Sequence, residues 1–244
     1  MISMPTASLV PALITDLRLA LTHIICLFCL QVNEAQAAAI EKATRAQSTS
    51  ARWYRERSIR LTASNFGTIM NMRASTDPAP LVQRLINPEP LKVPAVLWGK
   101  ENEGRARTAY ETLRGKKVTR SGLVIDVSEP YLGCSPDGVL DDRVVEIKGL
   151  FAARNRSVAP GVVDWLIERD GMMDLKTHTR YWYQIQGQMA IMGKSKCDLV
   201  VFTQRDMVVI PVVRVPRLYE DTMVPKLRRF FFQHMAKALV IRRR

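Results

Sequence analysis

The sequence is poor in cysteine, and this scarcity narrows the kind of protein it encodes. Four cysteines in 244 residues are too few for a disulfide scaffold, so we expect a reducing, intracellular setting. Cys26 and Cys29 form a single C-x-x-C pair. A zinc site would need a second pair, so two apolar cysteines in a hydrophobic segment are the favoured interpretation.

Long apolar runs are also lacking. The segment ALTHIICLFCLQV, near the start of the chain, is too short for a membrane helix, which needs about 20 apolar residues. We expect residues 1–31 to be an extension, either an extra packed helix or a poorly defined start of the reading frame. A signal peptide within residues 1–37 is the alternative, because NEAQAAA contains an A-x-A-like site, although no basic residue precedes Arg18. Residues 32–244 are then the folded unit, and no membrane contact is predicted.

Acidic residues are scarce relative to basic ones. Lys and Arg number 36 against 23 Asp and Glu, which gives a formal net charge of +13 and a pI of about 10.0. Such a surface attracts polyanions, of which nucleic acid is the commonest, and a generically basic surface is the alternative. The basic C-terminal stretch, residues 214–244, would track a DNA backbone, with a solvated helix face as the default interpretation.

The order of predicted elements indicates an α/β (α+β-like) fold with a mixed sheet, and the sequence has no internal repeat. DPAP and NPEP predict loops across residues 77–90, and residues 151–176 fit no single element. Helix-forming residues and terminal glycines predict helices at 33–47, 95–115, 181–193 and 217–240. A further helix is predicted to begin at an N-cap formed by Thr62 or Ser64. Apolar patterns predict strands within 117–127, 131–140, 143–150, 196–204 and 207–215.

The segment GCSPDGVLDDRVVEIKGL places charged side chains on an otherwise apolar hairpin. If Asp141 and Asp142 form a two-residue turn, Asp137 stands opposite Glu146. Side chains alternate along a strand, so Lys148 shares the face of Glu146. Two carboxylates about 4.5–5.5 Å apart at Cβ repel unless a cation or proton lies between them. This arrangement predicts a site for metal-assisted phosphodiester hydrolysis, with a surface salt bridge as the alternative.

The neighbouring motifs carry a resemblance to a known family. Asp137 followed by Glu146-Ile147-Lys148 resembles the PD-(D/E)XK nuclease signature. RSIRLTASNFGTIM, WGKENEGRAR, GCSPDGV, VVEIKG and LKTHTRYWYQIQGQMAIMG resemble, in this order, the YqaJ-like viral recombinase domains, which are lambda exonuclease-like. The resemblance extends over about residues 32–240. It implies a restriction-endonuclease-like core, with a mixed β-sheet flanked by helices.

The resemblance implies roles for the residues of the hairpin. Asp137, Glu146 and the backbone carbonyl of Ile147 match the metal ligands of the family. Lys148 matches the lysine that positions or activates the attacking water, and its ammonium would offset charge that develops on the phosphate.

The same resemblance assigns residues on two helices to the active site. Glu103 matches a helix glutamate that faces the metal, with Glu101 as the competitor and a helical salt bridge to Arg107 as the alternative. Gln184 matches a glutamine that reaches into the active site, and Gln188 shares its helix face. A polar helix face is the alternative for both glutamines.

Three residues match positions that hold a 5′-phosphate. Thr62-Ala-Ser64 begins a helix whose N-terminus favours anions, and Arg57 offers a bidentate donor. A plain helix cap and a solvated arginine are the alternatives. His178 matches a family histidine, for which a structural role is equally open. The aromatic residues that could stack on bases, and that we assign to the core instead, are Trp53, Tyr54 and Trp98.

The implied function is a Mg²⁺-dependent deoxyribonuclease, with Mn²⁺ as the other candidate metal, that digests double-stranded DNA from 5′ to 3′ in recombination or repair. The implied partners are double-stranded DNA ends, a single-strand annealing recombinase and further copies of the chain in a ring-shaped trimer. The protein would act inside the cell where the DNA lies, in the nucleus or the cytoplasm. A non-catalytic DNA-end-binding protein and an endonuclease on the same core are the alternatives.

The sequence departs from the family pattern directly after Lys148. Many relatives have Cys-Pro at this point, whereas this chain has Gly149-Leu150.

Overall fold

The computed structural model describes residues 29–88 and 93–242. The predictions for residues 1–28, including that for Cys26, lie outside this range, whereas Cys29 lies inside it and is exposed. The division of the chain after residue 31 stays a prediction. Within the described ranges, no helix combines the length and the apolar character that crossing a membrane requires.

A four-stranded mixed sheet lies at the centre, formed by β4 (Gly138–Leu140), β5 (Arg143–Gly149), β8 (Lys196–Phe202) and β9 (Met207–Val213). The spatial order is β4-β5-β8-β9, with β5 parallel to β8 and the outer strands antiparallel to their neighbours. Most residues of the two central strands are buried, because both faces of the sheet are covered.

Two smaller sheets accompany the central one. β1 (Leu61–Thr62), β2 (Val124–Ile125) and β3 (Leu132–Cys134) form a three-stranded sheet in the order β1-β3-β2, in which β3 is parallel to β1. β6 (Leu166–Arg169) and β7 (Met172–Leu175) form a separate antiparallel hairpin.

Helices cover both faces of the central sheet. Val145 and Ile147 of β5 pack against the long helix α5 (Pro94–Arg114), whereas Val144 and Glu146 point to the opposite face, against α6 (Arg180–Ile191). This separation follows from the alternation of side chains along a strand. The helices in the described residues are α1 (Glu34–Ala43), α2 (Ala51–Ser58), α3 (Ala63–Met70), α4 (Ala79–Ile86), α5 (Pro94–Arg114), α6 (Arg180–Ile191), α7 (Val224–Phe230) and α8 (Ala236–Arg242).

Helices α3 and α6 cross with their backbones in close contact. A Cβ added to Gly67 of α3 would lie 2.3 Å from the Cα of Arg180. A Cβ added to Gly187 of α6 would lie 2.5 Å from the ring of Phe66. Glycine at both positions therefore sets the distance between the helix that begins near Ser64 and the helix that carries Gln184.

The C-terminal helix is continuous from Tyr219 but widens twice. π-helical turns at Tyr219–Met223 and Phe231–Met235 precede α7 and α8 respectively. Its buried face carries the aromatic side chain of Phe231, which stacks on Tyr131 with the ring centroids 4.8 Å apart. The sequence prediction of one helix over 217–240 is confirmed in its extent, and the π turns were not predicted.

One local prediction is wrong, a second holds only in part, and the structure resolves a segment that the sequence left open. The interval 77–90 contains α4 rather than only loops, because prolines at the start of a helix do not interrupt its hydrogen bonds and Leu81, Val82, Leu85 and Ile86 form a buried stripe. Residues 117–127 pair as a strand only over β2 and at one isolated bridge of Thr119. Residues 151–176, which the sequence left open, contain the β6–β7 hairpin.

Candidate active site

The hairpin of β4 and β5 forms with the predicted register. Gly138 pairs with Val145, and the pairing continues to the two-residue turn, where Asp141 has a φ of 52°. Asp137 directly precedes β4 and therefore reaches the face of Glu146, and its Oδ2 accepts a hydrogen bond of 2.6 Å from the backbone N–H of Ile147.

Glu146 is buried and is surrounded by donors. Its Oε1 accepts hydrogen bonds from Lys148 Nζ at 2.6 Å and from Gln184 Nε2 at 2.5 Å. Its Oε2 accepts a hydrogen bond of 2.7 Å from Gln188 Nε2. Both glutamines of α6 lie on one helix face, as their spacing predicted, and this face is turned to the hairpin. Gln188 makes as direct a contact with Glu146 as Gln184 does.

The electrostatic environment differs between Asp137 and Lys148. Burial raises the pKa of Asp137 well above its usual range, and the carboxylates of Glu146 and Glu103 raise it further. Burial by itself would lower the pKa of Lys148, but the carboxylates of Glu146 and Asp137 outweigh burial and raise this pKa. Lys148 is therefore cationic at neutral pH, and Asp137 is the group that most needs a cation or a proton nearby.

Glu103 lies on α5 at the edge of the site. Its Oε1 accepts a hydrogen bond of 2.5 Å from Arg107, so the helical salt bridge considered from the sequence forms. Arg107 also donates to the backbone carbonyl of Asp137 at 3.3 Å, a contact that was not predicted. The carboxylate of Glu103 is close enough to raise the pKa of Asp137, whereas Glu101 is exposed. Glu103 therefore forms the salt bridge with Arg107 and also lies beside Asp137.

The donor set limits the metals that the site could hold. In the part of the chain that the structure describes, no three His, Cys, Asp or Glu side chains converge as a metal cage. Asp137 and Glu146 provide two carboxylates, and the Ile147 carbonyl is the predicted third ligand. Gln188 Oε1 is buried and has no hydrogen-bond partner among the described residues. A partial oxygen set that leaves positions for water and phosphate fits Mg²⁺ better than Zn²⁺.

A second group of polar residues lines a cleft of about 610 Å³ at the start of α3. Arg57 Nη2 donates to Ser64 Oγ at 3.1 Å, and Thr62 Oγ1 lies 3.3 Å from the same oxygen. Burial lowers the pKa of Arg57 to about 10, against the opposing effects of Cys134, Tyr54 and Glu146, so the guanidinium stays charged at neutral pH. The three predicted phosphate residues are thus brought together.

The aromatic residues near this cleft have different environments. Trp98 is buried against Phe202, as the core assignment predicted. Trp53 and Tyr54 are only partly buried and line the cleft. Trp53 Nε1 donates to Ser135 Oγ at 3.0 Å, and the guanidinium of Arg57 lies 4.2 Å from its ring centroid. Trp53 also packs against the buried cluster of Ala37, Ile40, Leu123 and Ile125, so the core assignment holds in part for Trp53. It is wrong for Tyr54, which α2 places at the cleft.

Tyr181 is a residue of the site that the sequence analysis missed. Its ring centroid lies 4.9 Å from Lys148 Nζ, and the ring of Trp165 packs against it in a T-shaped arrangement with the centroids 4.8 Å apart. The signal was its position three residues before Gln184, on the same helix face. His178 is exposed, and its Nδ1 lies 3.1 Å from Tyr183 Oη, which agrees with a structural role.

Comparison with known proteins places this site in a family. The model of the YqaJ-like viral recombinase domain matches residues 52–195 of the chain. The chain belongs to this family. No curated protein is significantly similar in sequence.

Solved structures share the fold of this YqaJ-like domain. The alkaline exonuclease LHK-Exo from Laribacter hongkongensis, in complex with dAMP, is 23% identical with a TM-score of 0.59 over 79% of this chain and 97% of that chain. A SOX–DNA complex is 15% identical with a TM-score of 0.55 over 86% and 74%. The shutoff and exonuclease protein from Kaposi's sarcoma-associated herpesvirus is 15% identical with a TM-score of 0.54 over 86% and 75%. The chain therefore has the restriction-endonuclease-like fold, as the sequence predicted.

The departure at Gly149-Leu150 has a local explanation in this YqaJ-like domain. A Cβ at Gly149 would lie 2.6 Å from the ring of Trp98, so this packing needs glycine. The backbone N–H of Leu150 donates to the carbonyl of Phe202 at 3.0 Å, a bond that proline could not make. Gly149-Leu150 therefore fits the way β5 ends in this chain.

Proposed function

We propose that this YqaJ-like domain is a nuclease, and more narrowly a Mg²⁺-dependent exonuclease that digests double-stranded DNA from 5′ ends. Family membership and the fold shared with alkaline exonucleases support a nuclease. One observation carries the proposal: Asp137 and Glu146 lie on one face of a hairpin together with Lys148, and three donors surround Glu146.

Asp137, Glu146 and the Ile147 carbonyl are the proposed ligands of Mg²⁺. When bound, the ion would polarise the phosphate and lower the pKa of the attacking water. Gln184 and Gln188 donate to different oxygens of Glu146, so they hold this carboxylate in one orientation. Hydrogen-bond donors of this kind orient a metal ligand, so that its free electron pairs point at the ion.

Lys148 is proposed to act as a hydrogen-bond donor. Its raised pKa keeps it cationic at neutral pH, which disfavours a role as a proton acceptor. An ammonium here would orient the attacking water and stabilise the negative charge that develops on the phosphate. Tyr181 packs against Lys148 and limits where the ammonium can move.

The cleft at α3 supports the 5′ polarity. Arg57 and Ser64 are in contact, and with Thr62 they present a guanidinium and two hydroxyl groups. Charge-assisted donors of this kind suit a terminal phosphate. A terminal phosphate held here would set which strand end enters the catalytic hairpin.

Digestion of end-labelled duplexes tests the activity. A linear duplex labelled at a 5′ end or a 3′ end, a covalently closed circle and an RNA duplex are each incubated with Mg²⁺ or with chelator. We expect release of mononucleotides from the 5′ end of linear DNA only. Cleavage of the closed circle would instead indicate an endonuclease, and end binding without cleavage would indicate a non-catalytic protein.

The site assignment is tested by a pair of conservative variants on the same hairpin. Asp137→Asn should abolish digestion, because a neutral amide is a poor ligand for Mg²⁺. Asp142→Asn, in the exposed turn, should leave it unchanged. Equal activity of both variants would refute the assignment of Asp137.

The polarity is tested at Arg57. Arg57→Gln should slow digestion of a duplex with a 5′-phosphate and have little effect on the same duplex with a 5′-hydroxyl. A loss that is equal on both substrates would mean that Arg57 does not recognise the terminal phosphate.

The proposed assembly is a ring-shaped homotrimer that works with a single-strand annealing recombinase. Only the family resemblance supports these partners. Sedimentation of the full chain, alone and with a candidate annealing protein, tests them, and a monomer at all concentrations would refute the trimer.

A further inference from the structure

A second cleft, of about 500 Å³, lies at the opposite end of α3 from Ser64. An eight-residue helix spans about 12 Å, so this cleft is separate from the one that contains Arg57. One wall is the segment between α3 and α4, which includes Arg73 and Thr76. The other wall is the C-terminal helix, which includes Arg229.

The charged side chains that line this cleft are all basic. Its lining contains no aspartate or glutamate. Arg73 and Arg229 are exposed, and neither forms an ion pair with an acidic side chain within the described residues. Lys226 also lines the cleft, but its ammonium donates to the carbonyl of Met70 at 2.8 Å and so caps α3. The neighbouring Asp77 accepts a bond from the backbone at the start of α4. Two guanidinium groups are therefore available for an anionic ligand.

The shape of the cleft and its other lining residues indicate a ligand larger than a phosphate ion. Met72 and Pro225 provide accessible apolar surface, and Phe230, which is mostly buried, lies with its ring 5.4 Å from that of His234. A concave site of this size cannot receive a base pair that stays stacked in a duplex. It can receive one unpaired nucleotide, with the base against the apolar wall and the phosphates at the arginines.

The backbone of the C-terminal helix is irregular where it lines this cleft. Thr222 lies in the first π-helical turn, and Gln233 and His234 lie in the second. π-helical turns are rare and are frequent at functional sites. Both widened turns therefore contribute side chains to one cleft, an observation independent of its charge.

We propose that this cleft binds an unpaired nucleotide of single-stranded nucleic acid, such as the strand that remains when one strand of a duplex end is digested. The source of that strand rests on the proposed function. The binding itself needs no catalysis, so the two can fail separately.

Salt-dependent binding of a fluorescein-labelled oligothymidylate tests the inference, with the full chain carrying Asp137→Asn and chelator present. The pocket variant is Arg73→Gln/Arg229→Gln. The matched control, Lys42→Gln/Lys194→Gln, removes two charges outside this cleft, at the exposed Lys42 and the partly exposed Lys194. Loss of two phosphate contacts should reduce the slope of log K against log salt by about 1.4 in the pocket variant, and the control should keep the slope of the parent.

A second variant fills the cleft without changing its charge. Ala74→Trp should weaken binding of the oligonucleotide about tenfold, as expected for loss of one stacked base. Equal slopes for pocket and control variants, or unchanged binding by Ala74→Trp, would overturn the inference. The inference would also be overturned if the pocket variants lost affinity for duplex DNA only, because the cleft would then bind a duplex backbone.

The outcomes also separate the inference from the proposed function. If the unsubstituted chain digests linear DNA but the pocket variants do not change single-strand binding, the nuclease proposal stands and nucleotide binding in the cleft is refuted. Pocket-dependent binding by a chain that digests nothing would leave the cleft standing and refute the nuclease.

Discussion

Glu146 and Asp137 face each other, but their surroundings are unequal. Glu146 receives three side-chain donors, two of them neutral amides. Asp137 receives one backbone N–H and faces the charges of Glu146 and Glu103. The unfavourable electrostatic energy of the site is therefore concentrated on Asp137, and a bound cation would relieve it.

This imbalance predicts that Asp137→Asn stabilises the metal-free protein at neutral pH. The pKa of Asp137 is raised in the folded state, so between its ordinary pKa and the raised one the native protein binds more protons than the unfolded chain. Stability from this group is present at acidic pH and is lost as the pH rises through the raised pKa. Removing the charge should raise the Tm measured in chelator. The expected rise is about 2–4 °C for each kcal/mol by which the free energy of unfolding increases, and thermal unfolding measures it.

The comparison with Mg²⁺ provides the control for this prediction. Added Mg²⁺ should raise the Tm of the parent chain, because it binds the folded site, and should have a smaller effect on Asp137→Asn. The prediction is wrong if the variant is less stable than the parent at neutral pH in chelator, or if both lose the same stability between acidic and neutral pH.

Residues close together in the sequence were the ones whose contacts could be predicted. The turn at Asp141 fixes the register of the hairpin, so the approach of Asp137 to Glu146 followed from local geometry. The contact of Arg107 with the carbonyl of Asp137 depends on how α5 packs on the sheet, which no local pattern encodes. Asp198 was missed for the same reason: it is fully buried and accepts bonds from Tyr110, Arg114 and Arg143.

Among the elements, the crossing of α3 and α6 connects the two candidate phosphate-handling regions. α3 begins next to Ser64, and α6 carries the glutamines that hold Glu146. Glycines at the crossing let the helix backbones approach, because a Cβ at Gly67 would overlap the backbone of Arg180. The distance between the two regions therefore depends on this contact.

This contact predicts opposite effects of two glycine-to-alanine changes in helices. Gly67→Ala should lower the free energy of unfolding by about 1–3 kcal/mol, because the backbone must move to accept the methyl group. Gly104→Ala, at an exposed position of α5 with no atom within 4 Å of the new Cβ, should raise it by about 0.5–1 kcal/mol. Urea denaturation of both variants measures the difference, and two changes of the same sign would contradict the account of the crossing.

Elements with clear periodicity and end signals were predictable, and those governed by tertiary contacts were not. Gly115, with φ of 64°, ends α5 where the sequence indicated. α4 was missed because its prolines resemble loop signals, although Pro78 lies at the helix start where proline is tolerated. The π turns at Tyr219–Met223 and Phe231–Met235 have no sequence signature in the patterns we used.

At the scale of the whole molecule, the net charge of +13 makes any binding to nucleic acid dependent on salt. The affinity of Asp137→Asn for duplex DNA should fall by about 10³–10⁵ between 50 and 200 mM salt if it contacts 6–10 phosphates. Fluorescence anisotropy measures this dependence. A neutral crowding polymer should not compete, heparin should, and an affinity independent of salt would mean that the basic surface does not contact the backbone.

The parallel pairing of β5 with β8 has a consequence for synthesis of the chain. Val145 pairs with Asp198, 53 residues later, so the hairpin of β4 and β5 leaves the ribosome well before its central partner strand. Until then β5 exposes an unpaired, valine-rich edge that can pair with other chains. We expect a chain that ends at Gly193 to aggregate during expression, whereas the full chain stays in the supernatant of a cleared lysate. A soluble, monomeric truncation would show that the nascent chain protects this edge in another way.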